Sequence, residues 1–66
     1  MNIKEAYYDL LKTNNGRLNE IELGEKLGLD ETETQRIIAQ LLSEYKIEHK
    51  TNKACDYSLF KPPKTK

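Results

Sequence analysis

The sequence predicts an α+β domain, mostly helical, in which three helices are followed by a C-terminal β-hairpin. Three observations carry that prediction. An Asn or Asp followed three residues later by Glu occurs at Asn2/Glu5, Asn19/Glu22 and Asp30/Glu33, each ahead of an apolar-periodic run, and such a pair satisfies orphan amides at a helix start. Breakers follow the first two runs, Asn14-Asn15-Gly16 and Gly28, where a left-handed backbone closes a helix. After Lys46 the apolar spacing changes from that of a helix to the alternation of a strand.

The first helix is expected over about residues 3–13, because Ile3, Ala6, Tyr7, Leu10 and Leu11 fall on one helical face. Arg17 and Leu18 form a short extended link. The second helix is expected over about 20–27, with Ile21, Gly24 and Leu27 inward and Leu23 on the flank. Gly24 costs this helix about 1 kcal/mol of propensity, a cost that close helix packing would justify. The third helix, about 31–45, gathers Thr34, Ile37, Ile38, Leu41, Leu42 and Tyr45 on one broad face.

The hairpin is expected to pair strands at about 47–50 and 54–60. If Ile47 and Tyr57 both face the core, Lys50 sits opposite Ala54 and His49 opposite Cys55. Thr51, Asn52 and Lys53 then make a three-residue loop in which Asn52 or Lys53 takes the left-handed backbone. The segment "KPPKTK" at 61–66 has two prolines and no periodicity, so it is expected to be a disordered basic tail after a domain of residues 1–60.

Sixty-six residues, 36% apolar and 33% charged, describe one small domain with a thin stability margin, which disfavours an elaborate active site. The single cysteine, Cys55, leaves no internal disulfide, and no leader or long apolar run precedes the first helix. A reducing cytoplasmic location and no membrane association are therefore expected. The net charge of zero is unevenly spread. Residues 1–18 carry +1, residues 19–45 carry −5 (Lys26 and Arg36 against seven carboxylates), and residues 46–66 carry +4 (six lysines against Glu48 and Asp56).

The stretch "LGEKLGLDETETQRIIAQL" places a small residue at Gly24, a turn at Gly28-Leu29-Asp30, and Ile38 and Leu41 on the following helix. In this it resembles the winged helix-turn-helix of small bacterial and archaeal transcription regulators. The resemblance implies that Gly24 lets the second and third helices approach, that Gly28 reverses the chain, and that Asp30 caps a recognition helix. It also implies binding of double-stranded DNA and a role in transcription regulation. The chain departs from DNA-reading relatives at Glu31, Thr32 and Glu33, where Ser, Thr, Arg or Lys is common. Carboxylates there suit the helix dipole but repel phosphates.

Two readings of the surface follow. In the first, the outward face of the third helix, with Thr32, Glu33, Arg36, Ala39, Gln40 and Ser43 and with Gln35 at its margin, reads bases. Arg grips guanine and Gln grips adenine in bidentate fashion. The expected DNA-binding set is Thr32, Gln35, Arg36, Gln40 and Ser43 on that helix, with Lys46, Lys50, Asn52 and Lys53 of the wing, whose lysines anchor phosphates. A plain alternative makes the helix face a solvated one with a Glu33–Arg36 ion pair, and makes the lysines guards of an edge hairpin. Stable operator binding favours two half-sites, so a homodimer is one expectation.

In the second reading the fold is a protein-interaction module whose acidic second and third helices meet a basic partner. Tyr8 with Phe60 would add an apolar contact, or Tyr8 would simply cover the core edge. Catalysis has the weakest support. His49 facing Cys55 resembles a nucleophile with its base, but no third orienting group accompanies them, so no catalytic residue is expected. One His and one Cys fall short of a zinc site, so neither metal nor cofactor is expected.

Overall fold

The computed structural model describes residues 2–60; the tail at 61–66 lies outside the described residues. Three helices, α1 (Ile3–Asn14), α2 (Glu20–Lys26) and α3 (Glu31–Ser43), precede a two-stranded antiparallel sheet of β1 (Ile47–Glu48) and β2 (Ser58–Leu59). The fold is thus α+β and mostly helical. Its core is made by Tyr7 and Leu11 of α1, Leu23 of α2, Ile37, Ile38 and Leu41 of α3, and Ile47 and Cys55 from the hairpin.

The helix starts follow the capping pairs. Asn19 accepts from the Glu22 amide at 2.8 Å while the Glu22 carboxylate accepts from the Asn19 amide at 3.2 Å. Asp30 and Glu33 do the same at 2.7 and 3.1 Å. At α1 only the first half forms, with Asn2 accepting from the Lys4 amide. Each pairing occupies amides that the first helical turn leaves without partners.

Asn14, expected among the residues that stop the first helix, is its last residue and is buried. Its side chain brackets Leu18, accepting from the Leu18 amide at 2.9 Å and donating to the Leu18 carbonyl at 3.0 Å. An amide side chain thereby takes both backbone partners that a neighbouring strand would use, so the Arg17–Leu18 link stays outside the sheet. Asn15 (φ 49°) and Gly16 (φ 85°) turn the chain in the left-handed region.

Leu23 belongs to the core, and Ile21 and Leu27, expected to lie further inside, are only half-buried. Gly24 faces Thr34 of α3, and a Cβ there would come within 1.9 Å of the Thr34 hydroxyl oxygen. The close approach of α2 to α3 therefore depends on the missing side chain. α2 then closes in a Schellman pattern, with Gly28 (φ 78°) donating to Glu25 at 3.0 Å and Leu29 donating to Gly24 at 3.0 Å.

α3 buries Thr34, Ile37, Ile38 and Leu41, as its periodicity predicts, but it ends at Ser43 rather than at 45. Tyr45 adopts φ 60°, and 75% of its surface is exposed instead of joining the core face. The chain must leave the helix here to bring Ile47 into the core. The amides of Tyr45 and Lys46 bond back to Leu42 and Leu41 at 3.1 and 3.0 Å, the same Schellman closure.

The hairpin differs most from expectation. Ile47 pairs with Leu59 and Glu48 with Ser58, a register two residues away from an Ile47–Tyr57 pairing. A slip of two keeps every side chain on its expected face, and Ile47 is indeed 2% exposed. The strands are shorter than the expected 47–50 and 54–60. Instead of a loop at 51–53, a separate tight turn joins Asn52 to Cys55 through bonds of 2.7 and 3.0 Å, with Lys53 at φ 55°. This tip docks on the loop after α1, where the Ala54 amide donates to the Gly16 carbonyl at 3.0 Å. A Cβ on Gly16 would lie 2.5 Å from the Asn52 carbonyl oxygen, so the dock needs glycine there. Contact with the loop after α1, absent from a hairpin considered alone, thus holds the tip.

Candidate nucleic-acid interface

On α3, Thr32, Glu33, Gln35, Arg36, Ala39, Gln40 and Ser43 are all exposed. The geometry splits them. Ser43 donates through Oγ to the Gln40 carbonyl at 2.8 Å, and Gln35 donates to the Glu31 carboxylate at 3.3 Å. The side chains of Arg36 and Gln40 make no hydrogen bond among the described residues. Glu33 turns back onto the Asp30 amide at 3.1 Å, and no Glu33–Arg36 ion pair forms among the described residues. This carboxylate is thereby spent on its own helix start, where the dipole favours it.

Of the hairpin residues, Lys46, Lys50 and Lys53 are exposed, while Asn52 is half-buried. Asn52 pairs its backbone with Cys55 and reaches Asn15 with its side chain at 3.5 Å. Asn52 therefore helps to hold the tip in place, and it also lines the groove between the tip and α1.

The structure adds a group of residues outside the face of α3 and the tip of the hairpin. Lys4, Tyr8 and Lys12 lie four residues apart along α1 and so share one side of it. Lys4 bonds to the carboxylate of Glu44 just beyond α3, which holds the Glu44 carboxyl below its usual value. The next residue in the row, Tyr8, carries two cations on its ring, Lys12 at 5.4 Å and Lys46 at 5.9 Å from the centroid. Beyond it lies a groove of about 410 Å³ between the end of α1 and the hairpin. Lys12 and Asn15 line it from α1 and its cap, and Glu48, Lys50, Thr51 and Ser58 from the hairpin. The i, i+4, i+8 spacing of Lys4, Tyr8 and Lys12 is the signal that could have revealed this row.

Lys46 and Lys50 are thus brought together with Lys12 beside α1. No hydrogen bond, ion pair or ring contact among the described residues joins them to Arg36 or Gln40. Phe60 packs on Tyr45, with ring centroids 6.3 Å apart, and Tyr8 has the two lysines instead of the Phe60 contact considered for it. A second groove, about 440 Å³, runs between α2 and α3 over Ile21, Ile38 and Leu42, with Glu20 and Glu31 on its rim.

His49 and Cys55 do not face each other. His49 packs edge-on against Tyr57, with ring centroids 5.1 Å apart, and Cys55 is buried in the core. Burial pushes the Cys55 thiol above its ordinary value, away from the thiolate that a nucleophile needs. No group of three or more His, Cys, Asp or Glu side chains that could hold a metal occurs among the described residues, and no helix among them is long and apolar enough to cross a membrane.

Compared with known proteins, the chain matches no family model, no curated protein and no solved structure.

Proposed function

We propose that this is a winged-helix DNA-binding module, a small transcription regulator or accessory factor, in which α3 enters the major groove and the β1–β2 hairpin is the wing. One observation carries the reading. The outward face of α3 is wholly exposed, with Arg36 and Gln40 uncommitted while Glu33 is drawn back to the Asp30 amide. Arg36 and Gln40 probe base edges, and Thr32, Gln35 and Ser43 flank them. Lys46, Lys50 and Lys53 meet phosphates, which fixes the dock without reading sequence.

Titration of a short duplex at several salt concentrations tests the reading. Lys50→Gln with Lys53→Gln should flatten the dependence of log K on log salt by about 1.8, the loss of two phosphate contacts. An unchanged slope and affinity would remove the wing from the interface. Arg36→Ala should lower affinity for a selected site more than for random duplex.

The acid-rimmed groove between α2 and α3 favours a second reading, a protein-interaction module for a basic amphipathic partner. NMR titration separates the two. Duplex-induced shifts at Arg36, Gln40 and Lys50 support DNA binding, and silence there directs the search to Glu20 and Glu31.

A further inference from the structure

Tyr45 stands at the position after α3 where a left-handed backbone is required and where glycine carries no penalty. Among the described residues, Tyr45 alone combines an aromatic ring with a positive φ. Its ring does little for the core, since three-quarters of the residue is exposed, and its neighbour is another ring, Phe60. A strained, solvent-facing aromatic is better explained by something it contacts than by the fold.

Its surroundings are cationic. Lys46 follows Tyr45 directly, and its carbonyl accepts from the Phe60 amide at 3.0 Å, so the aromatic pair and the lysine form one unit. The Lys46 ammonium reaches the Tyr8 ring, which Lys12 also covers, and Lys12 leads into the groove with Lys50. Of the carboxylates nearby, Glu44 is bonded to Lys4, Glu48 lines the groove, and Glu5 and Asp9 lie within three residues of Tyr8 on α1. Lys12, Lys46 and Lys50 thus gather on this side of the molecule.

The geometry points to a single-stranded DNA site on this side of the molecule. Bases stack on Tyr45 and Phe60, and the backbone runs past Lys46 and Lys12 towards Lys50. Aromatic faces accept any base, and lysines beside them track the phosphates, which is the combination that unpaired strands require. A duplex offers no free base face to these rings. The inference rests on the nucleic-acid reading for the choice of polymer and shares Lys46 and Lys50 with it, but Tyr45, Phe60 and Lys12 are its own and α3 has no part in it.

Fluorescence anisotropy of the full chain with labelled oligo(dT) of about twelve nucleotides at low salt tests the site. Tyr45→Gly is the decisive variant, because it relieves the backbone while removing the ring. Affinity for oligo(dT) should fall about tenfold or more, the loss of one stacked base, with Tyr45→Phe retaining it. Lys12→Gln should flatten the salt dependence by about 0.7. Duplex affinity should be untouched by Tyr45→Gly and lowered by Arg36→Ala, so the two readings fail separately. Undiminished oligo(dT) binding by Tyr45→Gly would overturn the inference, as would no binding by the unaltered chain. So would a dimer of the unaltered chain that Tyr45→Gly dissolves while oligo(dT) affinity stays the same, since the rings would then serve self-association.

Discussion

α2 and α3 end in the same way and are closed by opposite residues. In both, the amide two residues past the cap reaches back to a carbonyl in the last turn, Leu29 to Gly24 and Lys46 to Leu41, and the amide before it reaches Glu25 or Leu42. In both, the residue between cap and return is left-handed, at φ 78° and φ 60°. At α2 that residue is Gly28, with open space around it; at α3 it is Tyr45. Glycine takes this backbone freely, whereas a side chain there costs roughly 1–2 kcal/mol. The pattern of hydrogen bonds is therefore a property of helix ends, and the residue that closes each end reports what else that position does. Gly28 closes a tight helix-to-helix turn, while Tyr45 offers a ring to solvent.

Substitutions can break or sharpen this contrast. The largest effect is expected at Gly24, whose carbonyl anchors the α2 closure. Gly24→Ala drives a methyl into Thr34 and should cost about 2 kcal/mol, measured by chemical denaturation. If stability held, α2 and α3 would not approach as closely as described. Gly28→Ala meets no steric block and should cost about 1 kcal/mol from the backbone alone. Tyr45→Gly should do the reverse, raising stability by roughly 0.5–1 kcal/mol, since the ring is mostly exposed. A loss of stability would mean that packing on Phe60 outweighs the strain.

The smallest effect concerns acid. The α3 cap, Glu44, is held below its usual carboxylate value by its hydrogen bond to Lys4. Its contribution is therefore present above the value the unfolded chain shows and is lost as pH falls through the folded value. Amide exchange at Tyr45 and Lys46 should accelerate on acidification relative to Gly28 and Leu29. Lys4→Gln should abolish that difference.

What the sequence made legible lies close along the chain. Asn19 with Glu22 and Asp30 with Glu33 mark helix starts because each bond spans three residues, and any neighbouring structure leaves it possible. Gly28 marks a stop for the same local reason. The exposed face of α3 follows from Thr34, Ile37, Ile38 and Leu41 filling the other side. The hairpin register was not legible, because an Ile47–Tyr57 and an Ile47–Leu59 pairing put the same side chains inward. The Lys12–Tyr8–Lys46 cluster was likewise hidden. Its spacing on α1 is visible, but its meeting with a lysine far along the chain is not.

The sequence by itself determined where the helices begin, where α2 turns back, which face of α3 is buried, and that charge is divided between an acidic middle and a basic end. These depend on interactions across a few residues, strong enough to act before distant parts meet. Tertiary structure decided the rest. The Ala54 bond to Gly16 and the Glu20 carboxylate on the Asp56 amide, 36 residues away, set the path of the hairpin. The return of Ile47 to the core ended α3 at Ser43 and turned Tyr45 outward, because burying Ile47 and satisfying the last carbonyls of α3 together outweigh the strain of one left-handed tyrosine.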